Sequence, residues 1–116
     1  MNSGCAVVAS HAIGAVPFLI KHNVNGLVYR CNSIEDLLKN VLFLIRHPDA
    51  MVQMGLNAYF TIKETWNASV AGERLIVLID ALKKGEQTPY ADGPCSVAPS
   101  ISDKEMYERI IRGEPI

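Results

Sequence analysis

One short apolar run near the amino end limits the folds open to this chain. Ala6-Val-Val-Ala9 carries two β-branched residues and lies between Gly4 and Ser10-His11. A run this short, apolar at every position, has the pattern of a strand buried on both faces, as in a parallel sheet. A parallel strand needs a crossover connection to its neighbour and helices above and below. The next residues fit that demand. Gly14-Ala-Val-Pro-Phe-Leu-Ile20 puts Pro17 in the first turn of a short helix, where a missing N–H costs nothing. Lys21 to Gly26 ends in Asn25-Gly26, a pair that favours positive φ and predicts a turn. Leu27-Val-Tyr29 then predicts a second short strand.

Three helices follow. Asn32 or Ser33 can cap the first, with Glu35 close behind. Its apolar row is Ile34, Leu37, Leu38, Val41, Leu42 and Ile45, the spacing of a helix lying on a core, and Phe43 and Leu44 widen it. Pro48-Asp49 opens the second, whose inward row is Met51, Met54, Ala58 and Ile62. Asn67 caps the third, with Ala71, Leu75, Leu78, Ile79 and Leu82 expected inward and Lys83-Lys84-Gly85 closing it. Residues 86–102 hold Pro89, Gly93, Pro94 and Pro99 and read as a linker or surface tail. Asp103 to Arg112 predicts a last short helix with Met106, Ile110 and Tyr107 inward. The division expected is a folded part over 1–84 and a tail over 85–116.

Composition narrows the function classes. Lys plus Arg number 11 against 12 Asp plus Glu, so the net charge is −1. Such a chain has no basic footprint for nucleic acid. With 49% hydrophobic residues it can build a core, but no apolar stretch approaches the roughly 20 residues of a membrane span. Cys5, Cys31 and Cys95 are scattered and odd in number, which favours a reduced, cytoplasmic chain. Neither they nor His11, His22 and His47 fall at metal-ligand spacing. Cys5 reads as a small buried filler, Trp66 as a wedge between helices, and Asn67 as a cap rather than the acceptor of Asn67-Ala-Ser69.

Two short strands are fewer than the three or more a stable sheet takes. The fold class expected is therefore α/β but incomplete: two short parallel strands followed by three helices, the back end of a larger domain. On that expectation Met1 is an internal start or an artificial boundary.

The first ten residues, Met1-Asn-Ser-Gly-Cys-Ala-Val-Val-Ala-Ser10, resemble the EAMACGxPVVAS segment of nucleotide-sugar-dependent glycosyltransferases of the retaining family 4 type, which have the GT-B fold. Gly14-Ala-Val-Pro17 resembles the GGxPE turn that follows it there. Asn23-Val-Asn-Gly-Leu-Val-Tyr29 is similar to the family's dGxNGLLv, and Ser33 to His47 to the helix after that segment. Pro48-Asp49, Met54-Gly55 and Thr65-Trp66-Asn67 resemble three later landmarks, in order and at family spacing. The likeness covers residues 1–84. Phe18 stands where the family often has Glu, and Ala15 replaces a glycine.

The resemblance implies a Rossmann-like, donor-binding carboxyl half of a two-domain enzyme. Its spaced pair of glutamates, one for donor sugar hydroxyls and one for the ribose, would lie before Met1. The parent would transfer a sugar from a nucleotide-sugar donor to a glycan or lipid acceptor, and this chain alone would be inactive. No cofactor is implied; the nucleotide sugar enters as substrate. Ligands of open α/β sheets bind beyond the carboxyl ends of strands. Ser10, His11 and Gly14 follow the first strand and are expected at the donor-cleft rim, with Ser3 and Gly4 from the matching segment. None is expected to be catalytic. His11 reads as an exposed loop residue there, or as a polar group facing a donor phosphate. The alternative to a transferase portion is a non-catalytic interaction module that associates, with itself or another chain, through an uncovered strand.

Overall fold

The computed structural model describes residues 1–116. The chain is mixed α/β. Strand β1 (Val8–Ser10) is followed by α1 (Val16–Leu19), strand β2 (Leu27–Tyr29), α2 (Ile34–Arg46), α3 (Pro48–Phe60), a π turn (Thr61–Thr65), α4 (Ala68–Lys83) and α5 (Asp103–Arg112). The strands form a two-stranded parallel sheet, with Val8 opposite Leu27, Ala9 opposite Val28 and Ser10 opposite Tyr29.

Side-chain alternation along the strands builds a core on each face. Val7, Ala9 and Val28 pack with Val16 and Ile20 of the α1 region and with Ile110 of α5. Ala6, Val8 and Leu27 pack with Leu44 of α2 and Met54 of α3. The apolar run at 6–9 is thus covered on both sides, as its composition predicts. Both cores are small: 16 of 116 residues are buried. The Cα radius of gyration is 15.7 Å, against about 13 Å for a compact chain of near this length.

The two sheet edges differ. In a parallel pair alternate residues bond outward, and Val28 is the outward residue of β2. Its N–H donates to His22 Nδ1 at 2.9 Å and its C=O accepts from Asn40 Nδ2 at 3.1 Å. Side chains therefore blunt that edge. Val8 and Ser10 are the outward residues of β1; the Val8 N–H and C=O have no protein partner, while the Ser10 C=O accepts from Ile13 N–H. Burial, and then the nearby charge of Lys39, hold the His22 imidazole below its ordinary pKa. Protonation would occupy Nδ1 and expel the Val28 N–H. The folded state thus binds fewer protons than the unfolded chain, so stability falls as pH drops below about 6.5, the unfolded value. Thermal melts from pH 7.5 to 5.5 are expected to show this loss, and His22→Asn, whose Oδ1 can still accept from Val28, is expected to flatten it.

Capping follows the sequence closely. Ser33, not Asn32, caps α2, accepting from Asp36 N–H at 3.2 Å, while Asn32 takes positive φ. Asn67 caps α4 through Val70 N–H, and Ser102 caps α5 through Glu105 N–H. In the turn before β2 the left-handed residue is Asn23, with φ of 64°, rather than Asn25 or Gly26. Gly26 is required for another reason: a Cβ there would meet Val7 O at 2.8 Å.

Three expected packing faces are corrected. On α2 the buried residue is Leu44, whereas Ile34 (76% exposed), Leu38, Val41 and Ile45 face out. Of the α3 row Met54 and Ala58 are buried, with Gly55 between them, and Met51 is exposed. On α4 only Ala81 is buried; Leu75, Ile79 and Leu82 are exposed. Cys5 is exposed as well, because it lies in the turn before β1 rather than beside the strand. Trp66 is partly buried at the junction of the π turn and α4. Residues 86–102 are irregular but held. Arg74 donates to the carbonyls of Asp92 and Pro94 and lies 4.5 Å from the Tyr90 ring.

Candidate functional site

The carboxyl end of β1 turns sharply. Ser10 Oγ accepts from Ala12 N–H at 3.3 Å, and Ser10 C=O accepts from Ile13 N–H. His11 N–H continues the ladder to Tyr29 C=O at 3.1 Å, which turns the imidazole across the end of β2. His11 is 2% exposed and so is not the exposed loop residue expected from its position. It is covered by α5, which arrives from far along the chain.

The His11 tautomer follows from its partners. Cys31 N–H can only donate, and it donates to Nδ1 at 3.0 Å. The proton of the neutral ring therefore sits on Nε2 and points at Asp103 Oδ1, 3.1 Å away. The Tyr107 ring meets the imidazole edge-on, with centroids 5.0 Å apart and planes at 60°. The Arg30 guanidinium lies 4.8 Å from the centre of the same phenol ring. Tyr107 O–H donates to Asp36 Oδ2 at 3.1 Å, and that oxygen also accepts from Arg30 N–H at 3.3 Å. Burial raises the Tyr107 pKa, the hydrogen bond to Asp36 and its charge raise it further, and Arg30 works against them. The phenol stays a neutral donor.

His11, Arg30 and Asp36 therefore meet where both strands end, at the amino end of α2. The cluster offers an N–H donor, a cation and a carboxylate. No side-chain hydroxyl or thiol hydrogen-bonds His11, so no nucleophile is paired with it. No group of three His, Cys, Asp or Glu is placed to hold a metal ion.

The expected rim residues are only partly assembled. Ser10 and His11 lie together, and Gly14 is exposed in the loop between β1 and α1. Ser3 and Gly4 do not join them. They precede β1, at its opposite end, where the Gly4 carbonyl abuts Gly55 of α3. A strand separates its two ends, so residues on either side of β1 cannot line one rim. Arg30, Asp36 and Asp103 join the cluster from positions that no sequence motif singles out. The available signal was the placement of Asp103 and Tyr107 one turn apart on a helix, so that they share a face.

A cavity of about 310 Å³ lies elsewhere. It is bounded by Ile20, His22, Val97, Ile110 and Ile116. Its His22 wall precedes β2, at the amino ends of the strands. Ligands of α/β sheets gather at the other end, so the His11 cluster is the stronger candidate. No helix is long and apolar enough to cross a membrane. Comparison of the chain with family models, curated proteins and solved structures finds no match.

Proposed function

We propose that this chain is the carboxyl-side portion of the donor-binding domain of a nucleotide-sugar-dependent glycosyltransferase of the GT-B fold. The unequal sheet edges carry the reading. Blunting of β2 by His22 and Asn40 marks an outer edge, while the unpaired Val8 groups mark a side where further strands belong. The resembling segments also fall on element boundaries: Met1–Ser10 ends with β1, Asn23–Tyr29 ends with β2, and Pro48-Asp49 opens α3.

In this reading the loop after β1 and the amino end of α2 face the nucleotide. His11 Nε2–H and Arg30 would bear on its anionic and aromatic parts. The glutamates that grip the sugar belong to the parent domain. Titration calorimetry of the full chain with UDP- and GDP-sugars is expected to give weak binding, with Kd of about 1 mM, and no sugar transfer. Turnover by this chain would contradict the proposal.

A second reading, a non-catalytic interaction module, is favoured by the exposed row Ile34, Leu38, Val41 and Ile45 together with the open β1 edge. It predicts that sedimentation shows concentration-dependent self-association that nucleotides leave unchanged.

A further inference from the structure

We infer that the carboxyl ends of β1 and β2 form a seat for a nucleoside diphosphate, and that α5 occupies this seat with its own Asp103 and Tyr107. The inference rests on the donor-binding reading and adds self-occlusion to it.

Each group on the sheet side receives one part of α5. His11 Nε2–H takes a carboxylate oxygen of Asp103 at 3.1 Å. Arg30 lies over a flat aromatic ring at 4.8 Å. Asp36 accepts a hydrogen bond from the edge of that ring at 3.1 Å. A guanosine or uridine diphosphate offers the same three features: anionic oxygens for an N–H donor, a flat ring for a guanidinium, and ring N–H donors for a carboxylate. Asp103 and Tyr107 stand one turn apart on one helix face, so a single helix presents both. The helix thus imitates the ligand of its own site.

The attachments of α5 are unequal along its length. Asp103 is exposed, with 73% of its side chain in solvent, so water competes for its hydrogen bond to the neutral His11 ring and that bond is weak. Ile110, near the other end, is 4% exposed in the core with Val16, Ile20 and Val28. The irregular residues 98–100 before α5 are exposed and give slack. Lifting Asp103 and Tyr107 draws only the partly buried Met106 from the core, while Ile110 keeps the helix attached.

The test compares the full chain with its Asp103→Ala/Tyr107→Ala double variant, using GDP, UDP and inorganic pyrophosphate as probes. Calorimetry is expected to show GDP and UDP binding about tenfold tighter in the double variant, within the usual range of coupling between competing sites. Pyrophosphate, which lacks a ring, is expected to gain much less. Hydrogen exchange is expected to quicken over 103–107 when GDP is added to the unmodified chain, with α2 and α3 unchanged. Equal nucleotide affinity in both proteins would overturn self-occlusion and leave the donor reading standing. Absence of nucleotide binding to either would overturn both. Pyrophosphate binding as tightly as GDP would overturn the aromatic part of the seat. If the double variant loses protection throughout α2 and α3, Asp103→Ala alone, made at an exposed side chain and freeing His11 Nε2–H, carries the GDP and UDP comparison.

Discussion

Asn25→Ala is expected to destabilise the chain by about 3 kcal/mol, near 1 kcal/mol for each of three lost hydrogen bonds. Urea unfolding followed by circular dichroism reads the loss. Asn25 is 3% exposed and ties three segments together. Its Oδ1 accepts from Lys21 N–H at 2.8 Å. Its Nδ2 donates to Leu19 C=O at 3.0 Å and to Thr61 Oγ1 at 2.9 Å. The amide thus joins the end of α1, the turn before β2 and the π turn after α3. Alanine leaves Lys21 N–H and Leu19 C=O without their side-chain partner and Thr61 Oγ1 with only its bond to Asn57 C=O, at a position that is itself buried, which costs more than an exposed hydrogen bond returns. Asn25→Asp is expected to fare no better, because a carboxylate oxygen would replace the donor that faces Leu19 C=O.

Leu27→Ala has an expected cost of similar size, about 3 kcal/mol within the usual range for a core leucine. Leu27 is 2% exposed and joins Leu44 and Met54, the only other buried members of the core beneath α2 and α3. With so few residues buried, little can collapse into the space left behind. Domain stabilities run from about 5 to 15 kcal/mol, so this one side chain accounts for a large share. Leu75→Ala on α4 is the control. It removes the same atoms from an exposed site and is expected to change stability by no more than about 0.5 kcal/mol. An equal loss at both positions would mean that α4 packs on the core.

The strands, the helices and two caps were legible because each rests on a local signal. The β-branched run at 6–9 specified a strand covered on both faces, and Asn67 specified a helix start. The face each helix buries was not legible, for a physical reason. On α2 the apolar face is clear, but the structure leaves its centre, Ile34, Leu38, Val41 and Ile45, open and buries Leu44 at its edge, because a periodic pattern says which face is apolar and not what covers it. Periodicity selects a face only when the other faces are polar. The α4 run Leu75-Ile-Val-Leu-Ile79 is apolar all round the helix, so there no face stands out. Of the site, Ser10 and His11 were legible as residues beyond a strand end. The burial of His11 was not, because it depends on α5, far along the chain, and no local pattern reports which distant helix lands on a loop. Ser3 and Gly4 were grouped with the rim through sequence likeness, although β1 lies between them and it.

Backbone amide shifts of the full chain during titration with GDP test the donor-site claim most directly. Shifts concentrated at residues 10–14 and 29–36, accompanied by changes over 103–107 as α5 yields its place, are the expected result. Shifts centred on the cavity beside His22 and Ile116, or no shifts at saturating nucleotide, would contradict it.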